Sequence, residues 1–353
     1  MRPELTRLIE MHTYKRPAGS RHERKFINRY LVSAGCVSDA FGNYSLVVGN
    51  RPDVVWSTHT DTVHKVTGRQ RVYLESDGTL GTHGDDCLGA DDTAGVWLLC
   101  EMIRRAIPGR YLFHYGEERG CIGSRSLVAS APAWLADARM VIALDRKGTG
   151  DVITHQCGNR TCSDDFAHAI ADQFNAQGMR YEPSDWGMFT DSESYADVVA
   201  ECTDLSIGYS GAHSARETLD TRHALALLDC LCALDTSVLP ITRTPGDTDD
   251  YQDALVLEYL TNEDIADDDD TLSVARSILH WCRECGADIS HEWQSVCWDC
   301  GCDDPIDVVG ERDFIDSAFA QAQAGLRAQV LQKHPTEQQP KGCVIPSKRK
   351  DRS

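Results

Sequence analysis

TAGVWLLCEMIRRAI (93–107) and RYLFHYGEERG (110–120) decide the fold between them. The first repeats apolar residues at three- and four-residue steps, the spacing of one helical face. The second is almost uniformly apolar over 111–116, as in a strand buried on both faces of a sheet, and it leaves that strand through two adjacent glutamates, Glu117 and Glu118.

The same alternation runs outward in both directions. Apolar or β-branched runs recur at YSLVVG (44–49), VVWSTH (54–59), MVIALD (140–145) and LSIGYS (205–210). Between them Phe166, Ile170 and Phe174 share a helical stripe, and LDTRHALALLDCLCAL (219–234) reads as a closing helix. Strand and helix alternating in this way predict a three-layer α/β/α domain with a mostly parallel, mixed central sheet, covering residues 1–245.

In such sheets ligands bind in the crevice beyond the carboxyl ends of the strands, so the polar residues at strand exits draw attention. His59 and Asp61 follow VVWST, Glu117 and Glu118 follow YLFHYG, Asp145 follows MVIAL and His213 follows LSIGYSGA. Asp91 and Asp92 open the helix at 93, between Gly89 and Gly95. Each has an ordinary reading taken alone: a surface His-X-Asp pair, helix-capping acids, a strand-end turn, a loop histidine, a solvated Glu-Glu turn. Together, three carboxylates (Asp91, Glu118, Asp145) and two imidazoles (His59, His213) from separate units form the nitrogen and oxygen donor set of two neighbouring zinc ions that share one carboxylate. The intervals from 59 to 91, 118 and 145 are 32, 27 and 27 residues, each about one βαβ repeat.

At this point the chain resembles a known group. STHTDT, LGADDTAG, GEERGCIGS, ALDRKGTGD and YSGAHSARE match, in order, the motifs of the co-catalytic dizinc exopeptidases, a superfamily that includes leucyl and glutamyl aminopeptidases, tripeptidase T and a carboxypeptidase and deacetylase branch. The resemblance covers roughly residues 5–240. It implies His59 and Asp145 on one zinc, Glu118 and His213 on the other, and Asp91 bridging them, with Co²⁺ or Mn²⁺ as alternative metals. It further implies that Asp61 orients His59 and that Glu117 is the general base acting on zinc-acidified water, which gives the paired glutamates separate tasks. Asp145 to His213 is 68 residues, too short for the dimerisation lid that some relatives insert, and His59 to Asp91 leaves room only for a strand meander that includes RVYLES. A compact aminopeptidase-like exopeptidase is expected. Thr93 stands where the lidded branch often has lysine.

Bulk properties fit a soluble enzyme. The chain has 353 residues, 41% hydrophobic and 25% charged, enough for one large domain and a smaller unit. No run approaches the ~18 apolar residues of a membrane span and the first residues lack a signal-peptide core, so a cytoplasmic location is expected and no membrane partner. The net charge of −20 disfavours nucleic acid. Over half of it comes from an acidic linker (246–272), whose residues 247–270 hold eleven acids and no Lys or Arg.

Fifteen cysteines in a large chain without an export signal point to reduced thiols and metal ligation. Cys282, Cys285, Cys297 and Cys300 form two Cys-X-X-Cys knuckles within an expected zinc ribbon (273–304), holding one structural Zn²⁺ and suited to docking a protein partner. A helical segment (305–333) and a basic flexible tail (334–353) follow.

Three rival functions compete with this reading. A deacylase of N-acyl amino acids would use the same dizinc site. A scaffold docking partners through its ribbon would have no need of a complete ligand set. A serine hydrolase built on GYSGA lacks the last glycine of a nucleophile elbow, and Ser210, Asp220 and His223 lie too close in sequence for three strand ends.

Overall fold

The computed structural model describes residues 2–246, residue 157 excepted. The linker beyond Gly246, the ribbon with Cys282, Cys285, Cys297 and Cys300, the helical segment and the basic tail all lie outside the described residues.

Eight strands form the central sheet: β1 (Val37–Ser38), β2 (Tyr44–Val48), β3 (Val54–His59), β4 (Gly109–His114), β5 (Met140–Arg146), β6 (Asp151–Ile153), β7 (Glu182–Ser184) and β8 (Glu201–Ser206). Their spatial order is β7-β6-β8-β5-β3-β4-β2-β1. The centre, β8-β5-β3-β4, is parallel throughout. Antiparallel pairings flank it, β4 with β2, β2 with β1, and β8 with β6, while β6 and β7 run parallel at the far edge. The sheet is therefore mixed, with a parallel centre and one further parallel pair at an edge.

Side chains alternate across this sheet at the strand period of two. Val54, Trp56, Tyr111, Phe113, Met140, Ile142 and Leu144 enter the larger core. That core also takes in α1 (Pro3–Met11), α2 (Arg21–Tyr30), α3 (Ala90–Arg104), α5 (Asp164–Asn175) and α6 (Thr221–Ala233). Val55, Leu112 and Val141 point the other way, into a smaller core closed by α4 (Ile122–Ala129) and the single turns at 133–137 and 193–195. Both faces are covered, one far more thickly than the other. Burying a side chain such as Trp97 of α3, fully enclosed here, contributes on the order of 1.5–3 kcal/mol.

Two details place the functional edge. Gly95 lets α3 press against β5: a Cβ there would stand 2.1 Å from the Leu144 carbonyl oxygen. A second, four-stranded sheet orders the strands 209–210, 218–220, 79–82 and 72–74 side by side. It pins the hairpin carrying residues 211–217 to the meander expected between residues 59 and 91, with Leu219 opposite Leu80. Among the described residues no helix is long and apolar enough to cross a membrane.

Candidate active site

Because β3, β4 and β5 are parallel neighbours, their carboxyl ends share one edge, where His59 lies opposite His114 in register. His59 ends β3, Asp145 lies near the end of β5, and Glu117 and Glu118 occupy the single turn that follows β4. Asp91 comes from the start of α3 and His213 from the 211–217 hairpin, where its φ of 59° is left-handed.

The structure brings these side chains together. His59 Nε2 stands 3.1 Å from Asp91 Oδ1 and 3.4 Å from Asp145 Oδ1. His213 Nε2 stands 3.4 Å from Asp91 Oδ2 and 3.2 Å from Glu118 Oε2. Asp91 thus turns one oxygen toward each histidine. Two groups of potential ligand atoms result, His59 with Asp91 and Asp145, and Asp91 with Glu118 and His213, each within 4.8 Å; Glu117 forms a third with His59 and Glu118.

The donor set can be compared with what a metal ion requires. Ligands about 2.0–2.1 Å from a tetrahedral zinc are separated by roughly 3.3–3.4 Å, close to the separations found. Asp145 Oδ1 and Glu118 Oε1 are buried without a hydrogen-bond partner. Burial raises the carboxyls of Asp145, Glu118 and Glu117 above the usual range. Burial opposes a charge on His59, yet Asp145, Asp61 and Asp91 outweigh it and lift its pKa well above normal. Glu118 is the chief cause of the rise at His213, to about 12. Crowded buried carboxylates that draw protons onto both imidazoles lack countercharge, which divalent cations would supply. The residues fit such ions.

Around each of these groups a second buried carboxylate holds the backbone. Asp61, fully buried, accepts from Gly116 N (3.1 Å) and Glu117 N (3.2 Å) through the same Oδ1 that lies 3.5 Å from His59 Nδ1. Asp92 accepts from His59 N (3.3 Å) and from Gly95 N (2.9 Å), so it caps the regular part of α3 while Asp91, joined to it by a cis peptide, faces the site. Asp204 on β8 accepts from Asp145 N (2.9 Å). Glu217 accepts from Gly89 N (2.7 Å) and Asp91 N (3.0 Å), and burial pushes its carboxyl up to about 8. Sequence reasoning gave Asp204 and Glu217 no role, although Glu217 is the last letter of YSGAHSARE.

Other candidates separate. Ser210 bonds Thr218, Asp220 caps α6 through the amides of Arg222 and His223, and His223 Nε2 pairs with the Tyr181 hydroxyl (3.0 Å), so they form no triad. Tyr195 is buried with its hydroxyl on His114 Nε2 (3.2 Å), and Ser192 accepts from Gln156 Nε2 (2.8 Å). Those two residues serve packing and local hydrogen bonding. Asp191 is buried beside them with both oxygens unpartnered.

Solved structures share the fold. An aminopeptidase PepT from Bacillus cereus and a tripeptidase from Staphylococcus aureus each superpose with a TM-score of 0.55 at 14% identity, over 65% of this chain and 96% of theirs. The TET1 peptidase of Pyrococcus horikoshii, described as assembling into a tetrahedron or a large octahedral shell, gives 0.52 at 15% identity over 65% and 98%. Comparison with curated protein sequences finds no match. The sequence profile of peptidase family M28 matches residues 46–224, half of the chain. With that match over the strands and turns that build the site, the chain belongs to peptidase family M28.

Proposed function

We propose that this peptidase is a dizinc aminopeptidase that removes residues from the free amino end of peptides. The observation that carries the reading is Asp91, one oxygen toward His59 and the other toward His213. In this reading His59 and Asp145 would hold one zinc and Glu118 and His213 the other, with Asp91 available to both. The fold shared with proteins named as an aminopeptidase and a tripeptidase supports the choice of substrate.

When bound, the ions bring the pKa of water toward ~7 and polarise the scissile carbonyl. Asp61 Oδ1 faces His59 Nδ1 at 3.5 Å, from where its charge would favour the Nδ1–H tautomer that leaves Nε2 free to ligate. Glu117 lies with His59 and Glu118 and, through its amide, is tied to Asp61. Its raised pKa suits a group that takes a proton from water during attack and returns it to the departing nitrogen. His213, about a third exposed, marks the side open to solvent and to substrate.

Aminoacyl and N-acyl libraries assayed with and without a chelator test this reading. Free-amine peptides should be cleaved, N-blocked ones should not, and chelation should abolish turnover. Glu117→Ala should keep its metal and lose about 10²- to 10⁴-fold in kcat. Preference for N-acyl amino acids would instead identify a deacylase, and full activity of the variant would remove Glu117 from the mechanism.

A further inference from the structure

Arg16 lies on the short segment between α1 and α2, and its side chain is fully buried. Nη1 donates to the carbonyl of Thr60, the residue between His59 and Asp61. Nη2 donates to Thr93 Oγ1 at 2.5 Å, and that hydroxyl in turn donates to the Gly89 carbonyl. The Arg16 backbone pairs with Thr62 in both directions, at 3.3 Å to its hydroxyl and 3.1 Å from its amide. The guanidinium packs 4.0 Å above the Phe26 ring.

Stability alone does not account for this placement. Among the described residues Arg16 forms no ion pair, and its Nε has no partner. The nearby acid Glu23 is engaged elsewhere, with the Thr60 hydroxyl (2.8 Å) and Gly19 N (2.5 Å). Burying a charge without a countercharge in contact is costly, so stability alone would not select this placement. Burial lowers its pKa to about 10, against the pull of Glu23, Asp92 and Asp61, which leaves it charged at neutral pH.

We propose that Arg16 is a positioning residue whose guanidinium clamps the turn bearing His59 and Asp61 to the helix start bearing Asp91, setting the separation of the two halves of the metal site. The inference rests on the dizinc reading. Neither bond is to a ligand side chain; both are to the backbone or hydroxyl beside one, so Arg16 acts through ligand spacing. A lysine at position 93 would start from the atom Nη2 now touches, and could return a cation to the same junction from the opposite side.

The test is a titration of full-length, metal-free protein with Mn²⁺, followed by the electron paramagnetic resonance of the free ion. Oxygen and nitrogen sites take Mn²⁺, whereas thiolate sites select softer metals, which keeps the cysteine knuckles out of the measurement. Wild type should bind two ions. Arg16→Met should bind them about 10- to 100-fold more weakly, the usual effect of losing a group that orients ligands, and its apo thermal midpoint should fall as well because the Thr60 carbonyl loses its side-chain donor. Arg16→Met with Thr93→Lys should recover most of the lost affinity, which a purely space-filling role would not produce. Unchanged Mn²⁺ affinity in Arg16→Met, or no recovery in the double variant, overturns the inference. If Arg16→Met does not fold, Thr93→Val decides the matter: weakened binding supports the clamp and wild-type binding refutes it. Wild type that binds no Mn²⁺ or Zn²⁺ beyond the knuckles would sink the dizinc reading and the clamp together.

Discussion

Replacing Asp61 separates two tasks that one carboxylate performs. Its Oδ1 receives the amides of Gly116 and Glu117 and faces His59 Nδ1, all without solvent exposure. Asp61→Ala leaves two buried amides unpaired, each costing about 1–3 kcal/mol, so the metal-free protein should lose about 2–6 kcal/mol in urea unfolding. The turn bearing Glu117 and Glu118 would lose its anchor at the same time. Asp61→Asn keeps a carbonyl oxygen for both amides and removes only the charge behind His59. It should therefore cost a small fraction of that stability, yet weaken metal binding and kcat/KM by about 10- to 100-fold. The two variants should rank far apart in unfolding and nearer together in turnover. Equal stability losses in the two, or an Asn variant with wild-type kcat/KM, would refute the division of labour drawn here.

Two further outcomes follow from groups at a distance and near at hand. His12 is fully buried, with Nδ1 on the Leu8 carbonyl (2.8 Å) and Nε2 unpartnered, and burial lowers its pKa from 6.5 to about 3. Below pH 6.5 the unfolded chain takes up a proton that the folded one refuses, so His12 contributes stability present above that pH and lost toward pH 3, up to about 5 kcal/mol. Urea unfolding of His12→Asn across this range should show a shallower decline than wild type; parallel declines would remove His12 as the cause. Glu217→Ala should orphan the amides of Gly89 and Asp91 and weaken Mn²⁺ binding about 10- to 100-fold, while a titration identical to wild type would show that the start of α3 holds its shape unaided.

Much of this was legible where burial and chemistry leave the same mark. VVWSTH coincides with β3 and MVIALD with all but the last residue of β5, because strands covered on both faces are written in apolar residues. LSIGYS was misleading: the strand is Glu201–Ser206, and Ile207 and Gly208 break it from Tyr209. The true strand holds Glu201, Thr203 and Asp204, polar residues that carry no apolar strand signal. They are buried because each has partners, Glu201 with the amides of Ser163, Thr242 and Arg243, and Asp204 with that of Asp145. The sheet is mixed as expected, and β2 coincides with YSLVVG, but β1 and β6, two and three residues long, are too short for any periodicity to announce their antiparallel pairing. Arg16 had no signal at all, since a lone charged residue defaults to the surface, and Glu217 had only its place at the end of YSGAHSARE. The five candidate ligands were visible because strand exits collect at one edge, a property of topology that the order of motifs conveys.

The bond from Glu217 to the amide of Asp91 spans 126 positions of the chain. Asp91 is translated early, but the carboxylate that steadies its turn arrives only near the end of the domain. The turn that presents Asp91 is therefore closed by a residue from the far end of the domain, so its shape depends on the whole domain being in place.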